Sequence, residues 1–187
     1  MKDIKPAILM LIIFTIICGG IYPAIVTGVA HALFPKQAAG SFITDKSGKE
    51  ICSTLIGQPF ADLKYFWPRP SAASDFGYNA MGSGGSNSGP TNPDYLKTVG
   101  DRVKALRDSG VTGKVPADLV QASASGLDPH VTPESALLQV ARVAKARGVS
   151  EDALVKAVSE ATEGRQLGFF GEPRVNVLVL NLKLDRL

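Results

Sequence analysis

The sequence reads as an α+β protein: a single N-terminal transmembrane helix followed by one domain with a small β-sheet and about three helices. Three observations predict it. Residues 7–34 contain no Asp, Glu, Lys or Arg and are dominated by Ile, Leu, Val, Ala and Phe. Farther on, three segments each begin on a capping Asn, Thr or Ser and continue with apolar residues at helical spacing. Short β-branched runs bounded by turn-forming residues lie at both ends of that helical region. The organisation expected is a short tail over 1–6, an anchor over 7–34 and a domain over 35–187.

At about 1.5 Å per residue, a helix over the anchor run is roughly 42 Å long, more than the ~30 Å hydrocarbon core of a bilayer. Gly20, Ala24, Gly28 and Ala32 recur at intervals of four and fall on one face. In lipid, helices associate through close backbone approach, and such small-residue faces permit it, so this face is the expected docking surface for a partner helix. Pro23 lacks an N–H and its ring clashes with the Gly19 carbonyl, so the helix should bend there. A secretory signal is the competing reading, with Lys2 and Lys5 as its basic region and Ala30-His31-Ala32 as a small-x-small cleavage site. The apolar run is too long for that, which favours an uncleaved anchor. Cys18 follows Ile17 rather than a small residue, which argues against lipidation. Lys2 and Lys5 on one side balance Lys36, Lys46 and Lys49 on the other, so charge counting gives no orientation. With Cys18 in the anchor and Cys52 alone beyond it, the domain has no internal disulfide.

The chain beyond the anchor is long enough for one domain with a sizeable core. The net charge is only +3, with bases scattered among acids, and nucleic acid is an unsuitable partner. Residues 41–44 and 51–56 flank Asp45-Lys46-Ser47-Gly48 and read as a β-hairpin. Phe60, Tyr65, Phe66 and Trp67 then require burial, either in the domain or against a partner. From 72 to 93 the chain is rich in Gly, Ser, Asn and Pro. No Lys-Ser or Lys-Thr follows its glycines, so it is not a phosphate-cradling loop. Its Asn and Thr side chains favour an ordered, contact-making loop.

Asn92-Pro93 starts a helix, with Leu96, Val99, Val103 and Leu106 on its apolar face and Gly110 as C-cap; Lys97, Arg102, Lys104 and Arg107 face solvent. Ser, Asp and His crowd together over 121–133. A hydrolase built from Ser123 or Ser125 with His130 and Asp128 is the enzymatic alternative, but residues so close on an extended loop converge poorly. Asp128, His130 and Glu134 make too thin a set for a metal, since the other histidine, His31, lies in the anchor. Thr132-Pro133 starts a second helix ending at Gly148, with Leu137, Val140, Ala141 and Ala144 inward and Arg142, Lys145 and Arg147 outward. Ser150 caps a third, with Leu154, Val155, Val158 and Ala161 inward. Residues 175–182 read as a buried final strand, with a helix over 175–186 left open.

Several blocks carry a family resemblance. They are Leu55-Ile56-Gly57-Gln58, Tyr65-Phe66-Trp67 with Arg69-Pro70-Ser71-Ala72, the Gly84-Gly85-Ser86-Asn87 to Gly89-Pro90-Thr91-Asn92-Pro93 loop, Ser125 to His130, and Gly171 to Leu178. In this order, behind one span, they resemble the C subunit of the Kdp-type potassium-transporting ATPase. Ala124 and Met81 are small departures from the pattern. The resemblance implies a non-catalytic accessory subunit in a bacterial or archaeal cell membrane, with the N-terminus cytoplasmic and an extracytoplasmic main domain. It implies three partners: a channel-like potassium-binding subunit, a P-type catalytic subunit and a small membrane peptide. ATP and potassium are then handled by those partners, and this chain has no cofactor of its own. The family is also described as raising nucleotide affinity in the catalytic subunit, and Gln58 is the one candidate nucleotide contact; a cytoplasm-facing nucleotide-binding regulator is the remaining alternative. Loops 72–93 and 121–133 are the expected partner contacts, through Gly84, Gly85, Ser86, Asn87, Thr91, Asn92, Ser125, Asp128 and His130.

Overall fold

The computed structural model describes residues 3–45 and 47–185, and these form two compact units that meet in sequence at Ser53/Thr54. Lys2 and Lys46, two of the charges weighed for orientation, and the end of the 175–186 segment lie outside the described residues.

The first unit is built on the apolar run. Helix α1 (Ile4–Ile16) and helix α2 (Tyr22–Leu33) are joined by a π-helical segment, Ile17–Ile21. The Tyr22 N–H reaches back five residues to the Ile17 carbonyl. The cause is Pro23: it has no N–H for the Gly19 carbonyl, and a widened turn just ahead of it makes room for the ring. Together these segments are long and apolar enough to cross a membrane. Their large side chains are exposed on every side, Leu11 to 68% and Ile8 to 53%, an arrangement suited to lipid rather than to water.

A short helix α3 (Pro35–Ala38) leads to strands β1 (Phe42–Thr44) and β2 (Glu50–Ser53), antiparallel with Ile43 opposite Cys52. Asp45 organises the turn between them. Its Oδ1 accepts from the Ser47 N–H and hydroxyl and from the Lys49 N–H, at 2.8, 2.6 and 3.0 Å. The hairpin is therefore the one expected, but its second strand stops at Ser53 rather than running to Ile56.

The second unit packs helices on a three-stranded antiparallel sheet. Strand β5 (Arg174–Asn176) is central, between β3 (His130–Val131) and β4 (Thr162–Glu163). The helices are α4 (Pro93–Asp108), α5 (Pro133–Leu137), α6 (Val140–Arg147), α7 (Glu151–Ala161) and α8 (Val177–Leu184). Phe66, Leu106, Val131, Val143, Leu154, Val158, Val175 and Leu180 lie in the core. Helix α4 starts at its capping Asn92 and ends as anticipated: Gly110 takes φ +93° and donates to the Arg107 carbonyl, while Val111 donates to Leu106.

Four sequence expectations need correction. Residues 175–182 are not a strand throughout: the Asn176 side chain accepts from the Val179 N–H, and this cap converts the apolar run into α8. The helix expected from Thr132 to Gly148 is two helices. The Gln139 side chain occupies the Ser135 carbonyl, so the Gln139 N–H turns to Ala136 and tightens the chain between α5 and α6. Arg142, placed on the solvent side, is 6% exposed, whereas Leu96, Leu137 and Val155, placed inward, are 53, 45 and 43% exposed. Arg102 is half-buried, its guanidinium bound to the Val120 carbonyl at 2.8 Å.

The aromatic segment is held by side chains rather than by a sheet. Phe66 is fully buried, and the Asn181 amide takes both of its backbone groups, N–H and C=O, at 2.9 Å each. Gln139, also fully buried, does the same at Trp67, accepting from its N–H at 2.7 Å and donating to its carbonyl at 3.1 Å. Arg142 lies over the Trp67 ring at 4.3 Å and donates to Gln139 and to the Leu63 carbonyl. Arg147 binds the Lys64 carbonyl and Asp185, which also accepts from the Tyr65 hydroxyl. The aromatics thus pack into their own domain, the first of the two alternatives. Burial lowers the Arg142 guanidinium to about 10.

Candidate functional site

The two loops singled out in the sequence lie against each other. Gly84 donates from its N–H to the Ser125 carbonyl at 2.9 Å, and the Ser83 hydroxyl reaches the same oxygen at 3.0 Å. Gly126 sits at φ +68°, where a Cβ would fall 2.7 Å from the Ala73 nitrogen and 2.8 Å from the Gly84 oxygen. Only glycine combines that conformation with that approach. A Cβ on Gly85 would stand 3.0 Å from the Ala124 oxygen. The long loop is therefore ordered by contact with its neighbour, with one short 3-10 turn, Ala80–Gly82, of its own.

Beneath this contact, the Ser71 hydroxyl donates to the Gly126 carbonyl at 2.7 Å and accepts from the N–H groups of Ala73 and Tyr78. The Tyr78 hydroxyl donates to the Arg69 carbonyl at 2.5 Å. Burial, with Asp128 nearby, pushes its phenol well above the ordinary range. Gly57 lets the Tyr78 ring close in, since a Cβ there would lie 2.3 Å from a ring carbon, and its N–H joins the second loop at the Leu127 carbonyl.

Asp128 is the charged centre. Its Oδ2 accepts from Arg69 at 2.9 Å, and its Oδ1 accepts from the His130 N–H at 3.0 Å and faces the His130 Nδ1 at 3.1 Å. Partial burial works to raise this carboxyl. Hydrogen bonds from the His130 ring and backbone and from Arg69 outweigh it and hold the group at about 2. Asp128 is thus a fixed anion at neutral pH. An open groove of about 650 Å³ runs past Arg69, Ser125, Asp128 and His130.

The arrangement is poorly suited to hydrolysis. The Ser125 hydroxyl accepts from the Leu127 N–H and stands 3.5 Å from that of Ser123; among the described residues neither hydroxyl bonds His130. No group of three or more His, Cys, Asp or Glu is placed to hold a metal among the described residues.

The structure brings together Gly84, Gly85, Ser125, Asp128 and His130. It does not gather the rest of the set: Asn92 is occupied as the cap of α4, and Ser86, Asn87 and Thr91 are exposed farther along the loop. Gln58 is half-buried and does not line the apolar hollow of about 440 Å³ formed by Phe60, Trp67, Tyr78 and Arg102. In the span, Gly20, Ala24, Gly28 and Ala32 are all exposed, with open space beside Gly20 and Gly28. Sequence reasoning missed Arg69, Ser71 and Tyr78 as the supports of the loop pair. Arg69 and Ser71 were visible only as polar residues beside a Pro-rich aromatic segment, and Tyr78 only as an aromatic within the loop over 72–93, without spacing to assign them roles.

One helix long and apolar enough to cross a membrane, followed by an α+β unit that carries a pair of interlocked loops, defines a membrane-anchored, single-pass module. The chain belongs to the family of the K+-transporting ATPase c chain, whose model matches residues 4–186. The potassium-transporting ATPase KdpC subunit of Geotalea uraniireducens is 73% identical over 187 residues, covering 100% of this chain and 99% of the relative. The corresponding subunits of Geobacter metallireducens and Geobacter sulfurreducens are 71% and 70% identical with the same coverage. The resemblance read from the five sequence blocks is thereby borne out.

Proposed function

We propose that this chain is a non-catalytic accessory subunit of an ATP-driven potassium import complex, supporting its assembly and the access of potassium to it. In this reading the N-terminus is cytoplasmic and residues 35–187 lie outside the cell. The span docks through Gly20, Ala24, Gly28 and Ala32, and the paired loops contact a channel-like potassium-binding subunit. A P-type catalytic subunit and a small membrane peptide complete the complex. In this reading any gain in the catalytic subunit's ATP affinity follows from assembly.

The observation that carries this reading is the locked loop pair. Gly126, Gly85 and the Arg69–Asp128–His130 cluster hold the two loops together and present a polar surface suited to recognition, on which, among the described residues, neither Ser123 nor Ser125 bonds His130. The test is co-purification. Replacing Gly20, Ala24 and Gly28 by Leu fills the small-residue face and should strip this chain from the solubilised complex, with a corresponding loss of potassium uptake. Full recovery of the complex with all three leucines in place would remove the docking face from the proposal.

A further inference from the structure

The hollow between Phe60, Trp67, Tyr78 and Arg102 has no role in the contact between the paired loops. At about 440 Å³ it falls in the size range of small-molecule sites, and apolar side chains, Leu106 and Leu119 among them, make most of its wall. Its frame is held firmly. Gln139 takes both backbone groups of Trp67, and the indole N–H donates to the Asp62 carbonyl at 3.2 Å. The Tyr78 hydroxyl is tied to the Arg69 carbonyl. Helix α4 carries Arg102 and Leu106 four residues apart, so both reach the hollow from the same side. None of the residues bordering it belongs to a strand, so it offers no sheet edge to an added peptide.

The charge around this hollow is one-sided. Arg69 and Arg102 border it, and no Asp or Glu does. Asp128 answers Arg69 at 2.9 Å. Arg102 has the Val120 carbonyl and, among the described residues, no carboxylate within ion-pair distance. Arg142, 6% exposed and stacked on Trp67 at 4.3 Å, likewise has neutral acceptors alone, the Leu63 carbonyl and the Gln139 side chain. Sheltered cations are ordinarily paired, because removing them from water without a counter-charge is costly. Burial accordingly lowers the Arg102 guanidinium from its ordinary value. An anion entering the hollow meets a guanidinium that is already positioned and partly dehydrated, whereas a cation is repelled and a neutral molecule gains little. The apolar wall requires that this anion carry an apolar body. We propose that the hollow binds a small amphiphilic carboxylate, an aryl or branched alkyl acid, with its carboxylate on Arg102 and its body against Phe60, Trp67 and Tyr78. The inference does not rest on the accessory role.

The probe is 4-bromophenylacetate, whose bromine quenches tryptophan, and Trp67, the sole tryptophan of the chain, is the reporter. Titrated at neutral pH into the full chain in detergent, it should quench Trp67 to saturation with a midpoint at or below about 1 mM. The neutral 4-bromophenylacetamide should bind at least about tenfold more weakly. Ala105→Phe, at an exposed position of α4 beside the hollow, should abolish the saturable quenching, and Arg102→Gln should bring the acid to the level of the amide. Thermal unfolding checks that each variant is folded, and the comparison of acid with amide on the wild-type chain needs no variant. Absent quenching, a linear response without saturation, equal binding of acid and amide, or saturation that survives Ala105→Phe would each overturn the site. In the assembled complex, equilibrium dialysis should find one site per copy of this chain that Ala105→Phe removes. Its absence there would assign the hollow to an acidic side chain of a partner subunit and equally overturn the proposal.

Discussion

Asn181→Leu tests the idea that side-chain amides substitute for a sheet around the aromatic segment. Asn181 is 1% exposed and satisfies both backbone groups of the fully buried Phe66. Leucine is of similar size but supplies neither bond, so one N–H and one C=O are left orphaned in the core. Each costs about 1–3 kcal/mol, and the added apolar burial returns about 1 kcal/mol, for a net loss of about 1–5 kcal/mol. Urea unfolding of the full chain in detergent can be followed through Trp67, which adjoins Phe66 in the chain and is the sole tryptophan. The midpoint should fall with little change in slope, while Lys183→Ala, on an exposed position of the same helix, should leave it in place. An Asn181→Leu protein within about 0.5 kcal/mol of wild type would mean that the Phe66 backbone is satisfied in another way, and would refute the clamp.

Gly126→Ala should cost about 2–4 kcal/mol, because it adds left-handed strain to a backbone collision with Ala73 and Gly84, and it should lower recovery of the assembled complex; thermal unfolding and co-purification at wild-type values would contradict the locked loop pair. Asp128 has a folded-state pKa depressed from 3.8 to about 2, so its stabilisation is present above the unfolded value and is lost as pH falls through that interval. After discounting for its partial exposure this amounts to about 1–2 kcal/mol at neutral pH. Asp128→Asn should therefore lower stability at pH 7 and flatten the acid limb of the unfolding profile, and an unchanged limb would show that the Arg69–Asp128–His130 contacts contribute nothing.

Much of this architecture was legible because it rests on local chemistry. The span follows from uncharged composition, and the helix starts at Asn92, Thr132 and Ser150 follow from capping oxygens that accept from N–H groups two or three residues on. The same rule applied to Asn176 locates α8, against the strand preference of the β-branched run beside it. The features that stayed hidden depend on contacts distant in sequence. Arg142 looks like a solvent-facing residue until Trp67 and the Leu63 carbonyl, far earlier in the chain, are brought beneath it. Gln139 breaks its own helix only because Trp67 requires an amide. At the candidate site, the glycine-rich and Ser-Gly-Leu-Asp-Pro-His loops were each visible as unusual, but their mutual contact required a structure. Arg69 acquires its role from Asp128, which no spacing within its own segment announces.

The π turn at Ile17–Ile21 also changes how the span is to be counted. A π segment behaves as one residue inserted into an α ladder, and it offsets the two flanking helices by roughly 100° about the axis. Heptad or four-residue bookkeeping carried from α1 into α2 therefore assigns residues of α1 to the wrong side, whereas Ala24, Gly28 and Ala32, all within α2, keep their common face. Side chains aligned in a helical-wheel drawing of the whole run face different neighbours in the bilayer. The number of residues in this anchor is set by rotational phase as well as by membrane thickness.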